Sequence, residues 1–314
     1  MSLKDFLTEL DDAAKTVLAS SFEIEIYDTT TVPRFDDSLL TWDNLDEGKK
    51  KCKRLESCVL YVDIRNSAAL NVQNRAWTLA RLYSVFVRSM VKAAKHHGGH
   101  VRNIIGDRVM VVFDQENCFE NAVNTAILMN SIAGHIINKR YSEEFKCGIG
   151  IDYGPMLVTK AGEVRRGAET EFYRSLVWLG RPANVASRLT DIANKSVSWR
   201  EEKVRVAFQF VEDGEWHWYD YPYSSFLGNL EVVYRQTIRH KDDDFRSFYD
   251  NSSTKSISYP PILMSEAVLQ GFKAAVPNDK TIVNNWWKEQ RTTIKEYSGK
   301  VYGGDIIFTQ VNEL

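Results

Sequence analysis

The sequence predicts an α+β fold with a βαββαβ core, a mainly antiparallel sheet and helices packed on one face of it. Three observations lead there. Cys58-Val-Leu-Tyr-Val-Asp63 is a short, almost wholly apolar run, the pattern of a strand covered on both sides. Two further apolar runs, 100–105 and 108–113, are separated only by Gly106-Asp107, the spacing of a tight hairpin. Between strand and hairpin, Leu79, Leu82, Phe86, Met90 and Ala94 recur every three or four residues, which predicts a helix over 74–97 that Gly98-Gly99 ends.

The remaining elements follow in order. Residues 2–19 read as a helix: Ser2 caps it, Asp5 suits its first turn, and Leu3, Phe6, Leu10, Ala14 and Leu18 form one stripe. Residues 21–56 are polar, with Pro33 and many acids, and read as an arm. The expected division is therefore 1–54 for helix and arm and 55–314 for the main domain. Residues 117–138 read as a helix, 145–152 and 155–159 as strands around Gly154, 173–179 as a strand, and 182–194 as a helix with Pro182 near its start. Residues 196–256 break this rhythm as an insertion. Val204, Val206, Phe208 and Phe210 alternate, Asp213-Gly214 turns, and Trp216 and Trp218 alternate back, an inserted β-hairpin ahead of a polar stretch, 239–256, expected to be mobile.

Composition narrows the function classes. With 314 residues, 44% hydrophobic and 26% charged, the chain is neither a disordered tail nor a small disulfide scaffold. Forty basic against forty-two acidic residues give a net charge of -2, which suggests neither nucleic acid nor a membrane surface as a partner. The N-terminus carries acids where a signal peptide needs a basic start, and no apolar stretch approaches the ~20 residues of a membrane helix. Cys52, Cys58, Cys118 and Cys147 form no CxxC pair, as in a reducing cytosol. A cytoplasmic, soluble protein is the expectation.

Two acids occupy unusual places. Asp63 ends the buried strand, and Asp107 sits at the hairpin tip that strand pairing places beside it. Carboxylates at adjacent strand ends repel unless a cation lies between them, and hard oxygen ligands favour Mg²⁺ or Mn²⁺. Each acid alone also reads as a turn former or a cap. After Asp63, the run Ile64-Arg65-Asn66-Ser67 can open a helix whose free N–H groups suit a phosphate. Asn184 and Arg188, i and i+4 on a helix, share a face that suits a phosphate or ribose, or is simply polar.

Together these segments resemble the class III nucleotidyl cyclases, the adenylate and guanylate cyclase family. GGHVRNIIGDRVMVVF is similar to that family's second metal-aspartate hairpin, GIGIDYGP to its strand and turn, and WLGRPANVASRL to its Asn/Arg helix. The likeness spans about residues 55–195, and 260–310 more loosely. It implies a ferredoxin-like cyclase core assembled as a head-to-tail homodimer with sites at the interface. Asp63, Asp107 and the carbonyl of Ile64 would hold two ions, Mn²⁺ or Mg²⁺. From the other subunit, Asn184 would orient the ribose and Arg188 would stabilise charge on the α-phosphate. Arg65, Asn66, Ser67 and Lys300 are candidate triphosphate contacts.

The departures point to the base. Where purine cyclases place a lysine four residues before the second metal aspartate, this chain has Asn103. Where they place an aspartate three residues before the glycine of the last motif, it has Val177. Removing partners that hydrogen-bond a base edge removes discrimination for that base. With Tyr61 two residues before Asp63, on the same strand face, the set is similar to that of the pyrimidine cyclases of bacterial antiphage systems (Pycsar). That resemblance implies UTP or CTP as substrate, and a cyclic nucleotide read by a separately encoded effector. An adenylate or guanylate cyclase, or a silent nucleotide sensor, are the rival expectations.

Overall fold

The chain opens with the helix that its capping residues predict. Ser2 Oγ accepts from the Asp5 amide at 3.1 Å and the Ser2 amide donates to Asp5 at 3.0 Å, a reciprocal cap that starts α1 (Leu3–Leu18). The computed structural model describes residues 1–141, 145–162, 174–210, 214–234 and 237–313.

The expected arm is instead part of the sheet. β1 (Glu23–Thr29) lies parallel to the first half of β2 (Lys49–Ile64), with Glu23 opposite Lys49, Glu25 opposite Lys51 and Asp28 opposite Arg54. Arg54 grips the Asp28 carboxylate with two hydrogen bonds, 2.6 and 2.9 Å long. Opposite charges across a strand pair stabilise it, so a stretch too polar to read as buried still forms a strand.

The chain continues through α2 (Ser67–Gln73), α3 (Ala76–His96), β3 (Gly99–Ile105), β4 (Arg108–Phe113), α4 (Cys118–Ser131), α5 (Asn138–Arg140), β5 (Cys147–Gly162), β6 (Arg174–Leu179) and α6 (Arg181–Ile192). The stripe foreseen on α3 is buried at Leu82, Phe86, Met90 and Ala94. Gly106, at φ 61°, takes the left-handed position of the β3–β4 turn. β5 runs unbroken where two strands were expected, passing through Gly154.

Ser196–Ser258 is a compact unit of its own. It contains β7 (Ser196–Glu201), β8 (Lys203–Gln209), β9 (Trp216–Pro222), α7 (Tyr223–Gly228), β10 (Leu230–Val233), β11 (Thr237–His240), β12 (Phe245–Asp250) and β13 (Ser253–Ser258). β8 and β9 are the expected hairpin strands, while the Asp213 turn falls outside the described residues. The polar stretch expected to be mobile is strand in large part. β12 pairs with β8 and β13 with β7, and Val204, Val206 and Phe208 of β8 form a small core with Phe226.

The first unit resumes with β14 (Ile262–Ser265), α8 (Glu266–Ala275), α9 (Lys280–Val283), β15 (Lys288–Gln290) and β16 (Val301–Gly304). Its sheet has the order β15-β16-β14-β5-β2-β4-β3, with β1 added on β2 and β6 on β5. Only β1–β2 and β14–β5 are parallel pairs. Among the described residues no helix is long and apolar enough to cross a membrane.

Helices cover both faces, not one. Leu60, Val62, Val111 and Ile149 pack with α3, α4 and α8 on the first face. Leu55, Val59, Met110 and Met156 pack with Ala183 and Ala186 of α6 on the second. Two side-chain-free positions on β5 explain the second layer. A Cβ on Gly150 would lie 2.3 Å from the Ala186 carbonyl oxygen and 2.4 Å from the Thr190 amide, and one on Gly148 would lie 2.7 Å from the Ala193 carbonyl oxygen. The helix backbone thus rests directly on the strand. Thr190 Oγ1 lies 2.8 Å from the Ala186 carbonyl and 3.1 Å from that of Tyr61, sharing its hydroxyl hydrogen between helix and sheet.

Gly150→Ala is expected to lower the unfolding free energy by about 1–3 kcal/mol or more, because the atoms in its way are backbone. Urea unfolding checks it, and a midpoint equal to wild type would show that α6 is not seated as described.

Candidate active site

β2 and β4 are antiparallel with Tyr61 opposite Met110 and Val62 opposite Val109. That register carries Asp63 to the level of Arg108, so the Gly106-Asp107 turn closes beside it. Alternation along β2 places Asp63 and Tyr61 on the face covered by α6.

The two acids meet different partners. Asp63, 17% exposed at its side chain, takes both its arginines on one oxygen: Oδ2 accepts from Arg108 at 2.9 Å and from Arg65 at 3.3 Å. Asp107 is half-buried, and its Oδ2 is buried with no hydrogen-bond partner among the described residues. Burial raises the Asp107 carboxyl pKa, and the neighbouring Asp63 charge raises it further, while the Ser67 hydroxyl works the other way. An orphaned carboxylate oxygen facing a second carboxylate is an arrangement that a divalent cation satisfies. Among the described residues no group of three or more His, Cys, Asp and Glu converges. A donor set of two carboxylates suits a hard ion that keeps waters and substrate phosphate oxygens as its other ligands. Asp63 and Asp107 are compatible with a hard cation, whose charge would offset the repulsion that adds to burial in raising Asp107.

The other expected residues divide into those near the acids and those apart. Ile64 is 3% exposed and points into the opposite core, so any part it plays is played by its main chain. Asn66 is exposed in the left-handed region at φ 57°, and Ser67 begins α2 close enough to shift Asp107. Arg65, foreseen as a triphosphate contact, is instead buried at 5% exposure. Its guanidinium donates to Asp63 and, at 3.2 Å, to the Asp191 carbonyl at the C-terminal end of α6, a position where the helix dipole favours a cation. It supports the acid site from behind.

Tyr61 is half-buried, and burial raises its hydroxyl pKa, while the Arg108 charge opposes this. Asn103 pairs with Met110 across β3 and β4, so Tyr61, Met110 and Asn103 form one row across the α6 face, with Asn103 at its exposed end. A bulge between Val101 and Asn103 sets that alignment. Val177 does not join the row. It is Trp178 that packs against the apolar cluster containing Met110 and Met156, so alternation turns Val177 to the other side of β6. The indole Nε1 of Trp178 is buried without a hydrogen-bond partner. Counting residues back from Gly180 does not show which residues of β6 share a face, and pairing with β5 does.

Asn184 and Arg188 lie on α6, and neither bonds to Asp63 or Asp107. Arg188 donates to the Lys295 carbonyl at 3.1 Å and to Glu296 at 3.4 Å. Asn184 is exposed, and its side chain makes no hydrogen bond among the described residues. Lys300 pairs with Glu289 at 2.9 Å, at the β15–β16 end of the sheet. Within one chain, then, the acids stand with Arg65, Arg108, Ser187 and Asp191, and the Asn/Arg pair stands apart.

Residues 51–206 match the family described as the adenylate and guanylate cyclase catalytic domain. A uridylate cyclase of Burkholderia cepacia is 30% identical over 178 residues, covering 54% of this chain and 72% of that protein. A uridylate cyclase of Xanthomonas perforans is 27% identical over 198 residues, covering 60% of this chain and 82% of its own. Among solved structures, the adenylyl cyclase CyaB from P. aeruginosa aligns with a TM-score of 0.46 at 16% identity, over 80% of this chain and 94% of that one.

The charge pair makes a prediction with a definite sign. Because the pKa of Asp107 is raised in the folded chain, ionising it costs stability, a cost absent below the usual carboxylate range of about 4 and complete above the raised value. Without metal, Asp107→Asn is expected to melt above wild type at pH 7.5, with the difference vanishing as pH falls toward about 4. Mn²⁺ should raise the wild-type melting temperature and leave that of the variant unchanged. Thermal melts at both pH values, with and without Mn²⁺, check this, and a variant that Mn²⁺ still stabilises would contradict it.

Proposed function

The chain belongs to the adenylate and guanylate cyclase catalytic-domain family, the class III nucleotidyl cyclases, and we propose that it converts UTP to 3′,5′-cyclic UMP and pyrophosphate. The observation that carries the chemistry is the orphaned, buried Oδ2 of Asp107 beside the Asp63 carboxylate. Bound there, Mn²⁺ or Mg²⁺ ions would make the ribose 3′-hydroxyl more acidic and neutralise triphosphate charge.

The chain's own residues have the rest of the work. Asp63 and Asp107 anchor the metal end of the nucleotide. The 3′-oxygen forms a bond to the α-phosphorus, the bond from that phosphorus to the β-bridging oxygen breaks, pyrophosphate leaves and the hydroxyl proton is released. Charge grows on the α-phosphate oxygens during this displacement, and in this reading Arg188 of a second copy would meet it, with Asn184 on the ribose. One observation supports a second copy: among the described residues neither Arg188 nor Asn184 bonds to the acids of its own chain, Arg188 turning to Lys295 and Glu296 instead. A head-to-tail homodimer would then have two equivalent sites.

For the base, the relatives named uridylate cyclases agree with the row on the α6 face. Tyr61, Met110 and Asn103 stand across it, with Trp178 packed behind, where a purine-reading lysine and aspartate are absent. Tyr61 takes up room that a smaller base leaves free. A cyclic pyrimidine nucleotide is a signal, and its use in antiphage defence through a separate effector is the role that this reading assigns.

The test supplies Mn²⁺ and ATP, GTP, CTP or UTP separately and resolves the cyclic products by mass. Cyclic UMP from UTP alone is expected. Cyclic CMP, AMP or GMP would retain the chemistry and overturn the base reading, and nucleotide binding without any pyrophosphate would favour a silent sensor. Arg188→Ala is expected to lower kcat roughly 10²–10³-fold with little change in KM, measured as pyrophosphate release.

A further inference from the structure

Arg108 follows Asp107 directly and was not among the residues foreseen for the site. Its guanidinium makes three contacts at once. It donates to Asp63 Oδ2 at 2.9 Å, to Ser187 Oγ at 2.8 Å, and to the carboxylate of Asp191. Ser187 and Asp191 are i and i+4 on α6, so the fork of one arginine spans a helix turn and the end of β2 together. Arg65 closes the same circuit from behind through the Asp191 carbonyl and Asp63.

We propose that Arg108 is a positioning residue that fixes the Asp63 carboxylate for a divalent cation and locks it to α6. Three features of the geometry support this. Both arginines occupy Oδ2, which orients the carboxylate and leaves Oδ1 without an arginine on it. The Arg108 guanidinium bridges the carboxylates of Asp63 and Asp191, so its charge is held between the end of β2 and α6. Asp191 balances that charge, so the arginine does not simply oppose an arriving cation. Carboxylates that bind metals depend on such outer partners, whose loss commonly weakens metal affinity or activity about 10–100-fold. The inference rests on Asp63 and Asp107 being the metal-binding pair.

The experiment titrates Mn²⁺ into purified full-length protein without nucleotide and reads free Mn²⁺ by electron paramagnetic resonance, so activity is not needed. Arg108→Ala is expected to weaken Mn²⁺ binding about 10–100-fold. Arg108→Lys should recover part of that loss, because a point cation reaches Asp63 without forking to Ser187. Asp191→Asn should give a smaller loss in the same direction, and it keeps the inference testable if Arg108→Ala does not fold. Wild-type binding with unchanged or tighter affinity in the folded variants would overturn the role of Arg108 alone. Absence of Mn²⁺ binding by the wild type would overturn the metal reading of Asp63 and Asp107, and this role with it.

Discussion

The seat of α6 on β5 is the contact on which the rest of the first unit depends. Where Gly148 and Gly150 leave the strand bare, helix backbone lies against sheet backbone, closer than any side chain allows. This proximity brings Thr190 within reach of the Tyr61 carbonyl, Asn194 within 2.9 Å of the Cys147 carbonyl, and Ser187 and Asp191 within reach of Arg108. Moved outward by the width of one methyl group, the helix would lose these bonds together. Arg65, beneath its last turn, would then be a buried cation with fewer partners, which is costly.

Charge is arranged around that seat with the same economy. Two carboxylates converge, and one of them keeps a buried oxygen that no protein group satisfies. The arginines nearby gather on the other carboxylate and on α6, and none is spent on Asp107. A structure built only for stability would pair that oxygen or replace the acid, since a buried unsatisfied group costs about 1–3 kcal/mol. Its persistence beside a second acid, in a chain of this family, is the physical basis for assigning a cation site there.

Much of this was legible in the sequence, for identifiable reasons. Periodicity located α3, and the two-residue spacing at Gly106-Asp107 located the hairpin and brought the acids together. The charged start of β2 was not legible, because its lysines find their acids on β1, at a distance along the chain that no local pattern reports. The second helical layer depends on glycines, whose lack of side chain leaves no hydrophobic signal. Arg65 reads as a phosphate ligand in sequence because burial cannot be seen there. Arg108 was overlooked because its partners lie about eighty residues away on α6. Trp178 escaped because strand parity shows which residues of β6 face the α6 side only once β6 is paired with β5.

In the proposed enzyme, Asp63 and Asp107 of one chain work with Asn184 and Arg188 of another. The most direct measurement combines two differently tagged inactive variants, Asp107→Ala and Arg188→Ala, and assays the purified mixed dimer for nucleotide cyclisation. One of its two sites would contain neither substitution, so activity should return to about half that of the wild-type dimer. A mixed dimer as inactive as either parent would contradict a site shared between two copies.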